Sequence, residues 1–239
     1  MNTHLKLMTV SLFIISLSGC AELKQLRSQL DQQGSSPGLS QYDIASGLKE
    51  ALRVGSSTVV SKLGRRDGFN KDKVAHIILP KNLLKVQKTL KQIGYGKYLD
   101  DLELKINRAA EVATPKAKAL FVNAITQLTW TDVKKIYNGP DDAATRYFQG
   151  KMTSPLKKEM TPVINNALAR VGVIQSYEKA MSKYNSLPFV PDVRADLTTH
   201  TLDKTLGAIF YYLGQEEAAI RKDPVKRTTA ILKKVFGYN

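Results

Sequence analysis

Leu83, Val86, Leu90 and Ile93 recur at intervals of three and four, with Lys85, Lys88 and Lys91 on the opposite side, so residues 82–94 predict an amphipathic helix. The same period runs through most of the chain from Ser40 onward. It predicts helices near 40–62, 82–94, 97–112, 115–128, 130–138, 141–150, 154–172, 174–185, 193–222 and 225–236. In 97–112 the apolar side is Leu99, Leu102, Ile106, Ala109, Ala110 and Ala113, and its alanines imply close helix packing. Arg108 and Glu111 lie away from that side, as a surface pair or an inter-helix bridge. In 193–222, Leu202, Leu206, Ile209, Leu213 and Ile220 share one face.

Start signals support this division. Ser40 with Asp43, and Thr129 with Asp132, have the form of capping boxes. Thr114-Pro115, Ser154-Pro155, Thr161-Pro162 and Asp223-Pro224 each place a capping side chain before a proline. Proline suits the first helical turn, where no N–H is needed, so all four pairs are expected to open helices. The one strand-like run is His76-Ile77-Ile78-Leu79-Pro80, a short extended segment or a hairpin edge. There is no internal repeat of 20–50 residues. The expectation is an all-α fold, a single multi-helix domain of about ten helices over residues 40–239.

The first 39 residues follow different rules. Lys6 and the α-amine give a weakly positive start, and Leu7–Leu17 is an apolar stretch too short to span a bilayer, which takes about 20 residues. It ends in Leu17-Ser18-Gly19-Cys20, which resembles the lipobox of lipoprotein signal peptidase. Residues 1–19 therefore predict a signal peptide, with cleavage before Cys20 and diacylglyceryl lipid on its thiol. Acyl chains contribute roughly 0.8 kcal/mol per buried CH2, and two or three make a stable anchor. Residues 20–39 predict a lipidated tether: Leu23, Leu26 and Leu30 keep helical spacing until Gly34-Ser35-Ser36-Pro37-Gly38 breaks it. Ala21, not Asp, follows the cysteine, which favours the periplasmic face of the outer membrane in a host with two membranes.

Cys20 is the sole cysteine, so no intramolecular disulfide or cysteine metal site is expected. A formal net charge of +15, of which only Lys6 falls in the leader, predicts anionic partners. Export disfavours nucleic acid and leaves anionic lipid or envelope polymer. Residues 62–97 carry ten Lys or Arg against Asp67 and Asp72. Lys85, Lys88 and Lys91 form one basic face. Lys226, Arg227, Lys233 and Lys234 form another, opposite Val225, Ile231, Leu232, Val235 and Phe236. Each is a solvated face or a contact surface for such partners.

Candidate chemistry is concentrated in two acidic runs. Glu216 and Glu217 border the apolar stripe of 193–222, and Arg221 stands one turn beyond Glu217. The plain reading is a Glu217–Arg221 ion pair, with Glu216 fixing a neighbouring helix end. Asp141 and Asp142 follow Gly139-Pro140 where a helix begins, which suits N-capping and the helix dipole, with Arg146 as a partner for Asp142. A sharper reading brings Asp141, Asp142, Thr145, Arg146, Glu216, Glu217 and Arg221 into one polar cleft able to hold a cation or move protons. His76 and His200 are far apart in sequence with no HExxH, and GxGxxG and P-loop motifs do not occur, so no metal site or cofactor is expected. Trp130, at a helix start, is expected in the core.

Several runs also carry a family resemblance. Gly47-Leu48-Lys49-Glu50-Ala51-Leu52, Ile78-Leu79-Pro80 and Asn107-Arg108-Ala109-Ala110-Glu111 stand in order. Gly139-Pro140-Asp141-Asp142-Ala143-Ala144-Thr145-Arg146-Tyr147-Phe148 follows, and then Glu216-Glu217-Ala218-Ala219-Ile220-Arg221-Lys222-Asp223-Pro224 and Val235-Phe236-Gly237. This set resembles the bacterial domain-of-unknown-function family 4197 over residues 40–237. The resemblance implies an envelope protein, often a lipoprotein, and supplies no catalytic residues. Two readings of function stay open. The favoured one is a non-catalytic, lipid-anchored binding or scaffold domain; the other is an envelope enzyme or metal-binding protein using the Asp/Glu/Arg cluster.

Overall fold

The computed structural model describes residues 38–237, and from Leu39 onward the chain is one compact unit. The leader, Cys20 and the tether up to Pro37 lie outside the described residues. Among those residues the fold is all-helical, without strands. The helices are α1 (Gln41–Gly64), α2 (Lys81–Gln92), α3 (Lys97–Ala113), α4 (Ala117–Thr126), α5 (Trp130–Tyr137), α6 (Ala143–Arg170), α7 (Val173–Asn185), α8 (Leu197–Lys222) and the short α9 (Ala230–Phe236). Single 3-10 turns occur at Thr114–Lys116 and Pro224–Lys226.

The expected capping boxes open α1 and α5. Ser40 Oγ accepts the Asp43 N–H at 3.0 Å and Thr129 Oγ1 accepts that of Asp132 at 3.2 Å, each with the reciprocal bond in place. The proline pairs behave differently. Pro155 and Pro162 lie inside α6, so the two helices expected over 141–150 and 154–172 are one. Both prolines are exposed, and the carbonyls four residues earlier, which lose their donor, belong to the exposed Lys151 and Lys158 and face water. Phe148, Leu156, Met160, Ile164 and Leu168 meanwhile keep a buried stripe that fastens the helix to its neighbours. Packing overrides the local signal.

Thr114 is not a cap either. Its hydroxyl donates to the Ala110 carbonyl at 2.7 Å, and α3 passes through the 3-10 turn into α4. Asp223-Pro224 opens only a 3-10 turn, so α9 begins at Ala230, later than expected. Trp130 is 37% exposed, a correction to its expected burial; Val133 and Ile136 supply the buried face of α5.

Helix α3 is the central element, packed on α1, α2, α6, α7 and α8. Its Leu99, Leu102, Ile106, Ala109, Ala110 and Ala113 have no exposed surface, the close packing that the alanines imply. The widest helix interface joins α6 to α8, where Phe121 of α4 sets its ring edge-on to both Phe148 and Phe210. Helix α8 runs antiparallel to α1. Leu213 lies 3.7 Å from where a Cβ on Gly55 would stand, Tyr212 bonds Asp72 beyond the end of α1, and His200 bonds the Ile78 carbonyl at 2.8 Å. Helix α2, joined to Arg194 through Asn82, therefore lies at the N-terminal end of α8, and α9 packs at the other end. Over 26 residues that is a separation of about 39 Å.

Candidate functional site

The acidic and arginine residues singled out from the sequence separate into a buried centre and an exposed rim. In the centre, Glu217 is 7% exposed. Its Oε1 accepts the Ala144 N–H at 2.9 Å; its Oε2 accepts the Thr145 N–H and the Thr145 hydroxyl, each at 2.9 Å. Arg221 donates to the same carboxylate from Nη2 at 3.1 Å and from Nε at 3.3 Å. The guanidinium also reaches the carbonyls of Ile136 at 2.9 Å and Tyr137 at 3.3 Å. Glu217 thus supplies the cap for α6 from another helix, and Asp142, the expected cap, makes no capping bond.

The remaining members form surface pairs. Asp142 accepts from Arg146 at 2.8 Å, Asp141 pairs with Lys222, and Glu216 lies 3.7 Å from Lys226. Of the expected cleft, Thr145 and Arg221 meet at Glu217, Asp142 and Arg146 pair separately at the surface, and Asp141 and Glu216 pair with lysines outside the set. A carboxylate has about four lone-pair positions, and here donors occupy them all. The hollow beside the pair measures about 10 Å³ and is lined by Leu48, Leu52, Leu213 and Phe236, which leaves no room for a substrate. Among the described residues no three His, Cys, Asp or Glu side chains converge to hold a metal ion.

A second polar centre includes the Arg108–Glu111 pair, while the roles of Glu103 and Asn107 in it were not recognised from the sequence. Glu103, Asn107 and Glu111 recur at i, i+4 and i+8 along α3 and hold the loop 65–80. Glu111, 4% exposed, forms the expected pair with Arg108 as a buried bridge and not as a surface pair, and accepts the N–H groups of Phe69 and Asn70, each at 3.1 Å. Arg108 donates to it at 2.7 Å and to Asp67 at 2.6 Å. Asn107, fully buried, pairs both ways with Ile77, accepting its N–H at 2.8 Å and donating to its carbonyl at 2.9 Å. The strand-like run 76–80 is thus an extended segment whose pairing partner is a side-chain amide. Glu103 takes the Leu79 N–H at 3.2 Å and His76 Nε2 at 3.0 Å, while His76 Nδ1 faces the Asn70 carbonyl at 2.8 Å. The four-residue spacing of these polar groups was the available signal.

Beyond them, Asp72 accepts the Tyr212 hydroxyl at 2.6 Å and the N–H groups of Val74 and Ala75, each at 2.9 Å. Burial pushes its carboxyl up, but these bonds and the nearby Lys62 charge outweigh that and hold it at about 2. The Tyr212 hydroxyl is pushed up to about 12 by burial and by the bond to Asp72. At Asp67 the bonds from Arg108, Lys71 and Asn70 hold the carboxyl well below the usual range.

The two basic faces fare unequally. Lys85, Lys88 and Lys91 are exposed, opposite the buried Leu83, Val86 and Leu90, while Ile93 is 44% exposed. Lys91 shares Asp100 at 3.2 Å. On the other face, Lys226, Lys233 and Lys234 are exposed, with Lys234 paired to Asp43 at 2.8 Å. Arg227 is a correction. It is 7% exposed, and its guanidinium donates to the carbonyls of Ile220 at 3.1 Å and Arg221 at 2.8 Å, closing the C-terminal end of α8.

The fold and its two carboxylate–arginine centres define an all-α domain whose interior polar groups bind its own backbone. The chain belongs to the family described as Protein of unknown function (DUF4197), whose model matches residues 38–237. No curated protein and no solved structure matches it.

Proposed function

We propose that this chain is a lipid-anchored binding or scaffold domain of the cell envelope, held to a membrane through Cys20 and meeting anionic lipid or polymer through its basic faces. The observation that carries the reading is the geometry of α2. Its Leu83, Val86 and Leu90 are fully buried, so Lys85, Lys88 and Lys91 are obliged to project outward as a row. Each basic residue near an anionic surface contributes about 1 kcal/mol. Lys226, Lys233 and Lys234 add a smaller face near the start of α1, where Lys234 pairs with Asp43. The two faces stand at opposite ends of α8, farther apart than the Debye length of about 8 Å at physiological salt.

The enzyme reading has less to support it, because Glu217 is saturated by helix N–H groups and Arg221. The test is sedimentation with anionic vesicles or envelope polymer at low salt. Reversing Lys85, Lys88 and Lys91 to Glu should reduce binding sharply, with thermal stability little changed. Undiminished binding would show that this face is solvated surface only.

A further inference from the structure

Four cations gather where α1 ends. Lys62 lies in its last turn, Arg65 and Arg66 follow, and Lys71 comes from the loop; with Asp67 and Asp72 they line an open hollow of about 400 Å³. Each carboxylate there already has a cation. Asp72 lies 3.5 Å from Lys62, and Asp67 lies 3.1 Å from Lys71 and 2.6 Å from Arg108, whose other amine holds Glu111. Arg65 and Arg66 are left over. Both are exposed, and neither guanidinium has an ion-pair or hydrogen-bond partner among the described residues. The wall beside them is fixed, since Lys62 Nζ sits 3.4 Å from the centre of the Tyr212 ring and Tyr212 bonds Asp72.

Arg66 also borders a second hollow of about 420 Å³, whose apolar lining is Leu104, Val112 and Val171. Leu104 and Val112 are 38% and 46% exposed, on the helix whose other side is the centre of the core. Asp101 at its rim is paired with Lys105 at 3.0 Å. Two surplus arginines therefore stand beside an uncovered aliphatic surface, with one of them shared.

We propose that these adjoining hollows bind a lipid phosphate, with its phosphoryl group between Arg65 and Arg66 and its apolar chain against Leu104, Val112 and Val171. A guanidinium matches a phosphate with two parallel N–H bonds, which a lysine cannot do. The C-terminal end of α1 disfavours an anion, and the two unmatched charges outweigh it. The site goes beyond surface docking because it takes one molecule at a time. It shares no residue with the α2 face, so either proposal can fail without the other.

The experiment titrates the purified protein with a short-chain phosphatidic acid below its micelle concentration, and separately with inorganic phosphate. Phosphatidic acid should bind at least about tenfold more tightly, as expected if even a few methylenes are buried. Arg65→Gln with Arg66→Gln should weaken both probes about tenfold or more. Val112→Asn should weaken phosphatidic acid and leave phosphate unchanged. Reversal of Lys85, Lys88 and Lys91 should leave phosphatidic acid binding unchanged. Full binding by the double arginine variant would overturn the site, and equal affinity for the two probes would overturn its lipid character. Circular dichroism of each variant should match the parent, because all these positions are exposed.

Discussion

Glu217 and Arg221 stand one turn apart on α8 and hold opposite ends of the α5–α6 connection. The carboxylate takes the N–H groups that open α6, and the guanidinium donates to the carbonyls that close α5. Each charge also suits the helix dipole it meets. Removing the carboxylate would strand two buried N–H groups and the guanidinium together. Glu217→Ala should cost about 3–5 kcal/mol, and urea unfolding of the single variants and the Glu217→Ala/Arg221→Ala pair should show strong coupling. A loss below about 1 kcal/mol would mean that water replaces these bonds freely.

Asn107 makes the same kind of demand on α3. Asn107→Leu would remove the partner of both Ile77 backbone groups, with a cost of about 2–3 kcal/mol. Hydrogen exchange should accelerate first at Ile77 and across residues 65–80, ahead of the α6–α8 interface. Uniform acceleration throughout would instead mean that loop and core open together.

Asp72 links stability to pH. Its carboxyl is held at about 2 against an ordinary 3.8, so it stabilises the fold above about pH 4 and loses that contribution as pH falls toward 2. Asp72→Asn should cost about 1–2 kcal/mol at neutral pH, after allowing for solvent screening. The gap between variant and parent in urea midpoint should narrow below pH 4. A constant gap down to pH 2 would assign the loss to packing.

Two glycines of α1 should respond in opposite directions. A Cβ on Gly47 would overlap the Val235 side chain of α9, whereas one on Gly55 would rest 3.7 Å from Glu216 and Leu213. Gly47→Ala should destabilise by about 1–3 kcal/mol, and Gly55→Ala should stabilise by up to about 1 kcal/mol through helix propensity. Thermal unfolding of the two variants measures both signs.

Anchoring has its own test. The sequence Leu17-Ser18-Gly19-Cys20 predicts that Cys20→Ala abolishes acyl labelling in the producing cell. Normal labelling of that variant would rule out lipid on this residue.

Periodicity in the sequence was enough for the helical class, for the buried faces of α2, α3 and α8, and for the capping boxes of α1 and α5. These depend on neighbours within one turn, which a sequence displays directly. The Glu217–Arg221 pair was legible for the same reason, being four residues apart. What Glu217 grips was not, since Ala144 lies 73 residues away in the chain. Tertiary packing alone decided that α6 runs through two prolines, that Arg227 turns inward to cap α8, and that Asn107 and Glu111 bind a loop. For α6 the deciding contact is its buried apolar stripe, and for Arg227, Asn107 and Glu111 it is backbone groups that the fold brings to the side chain. Backbone N–H and C=O are the same in every residue, so no side-chain pattern announces which of them a buried polar group will meet.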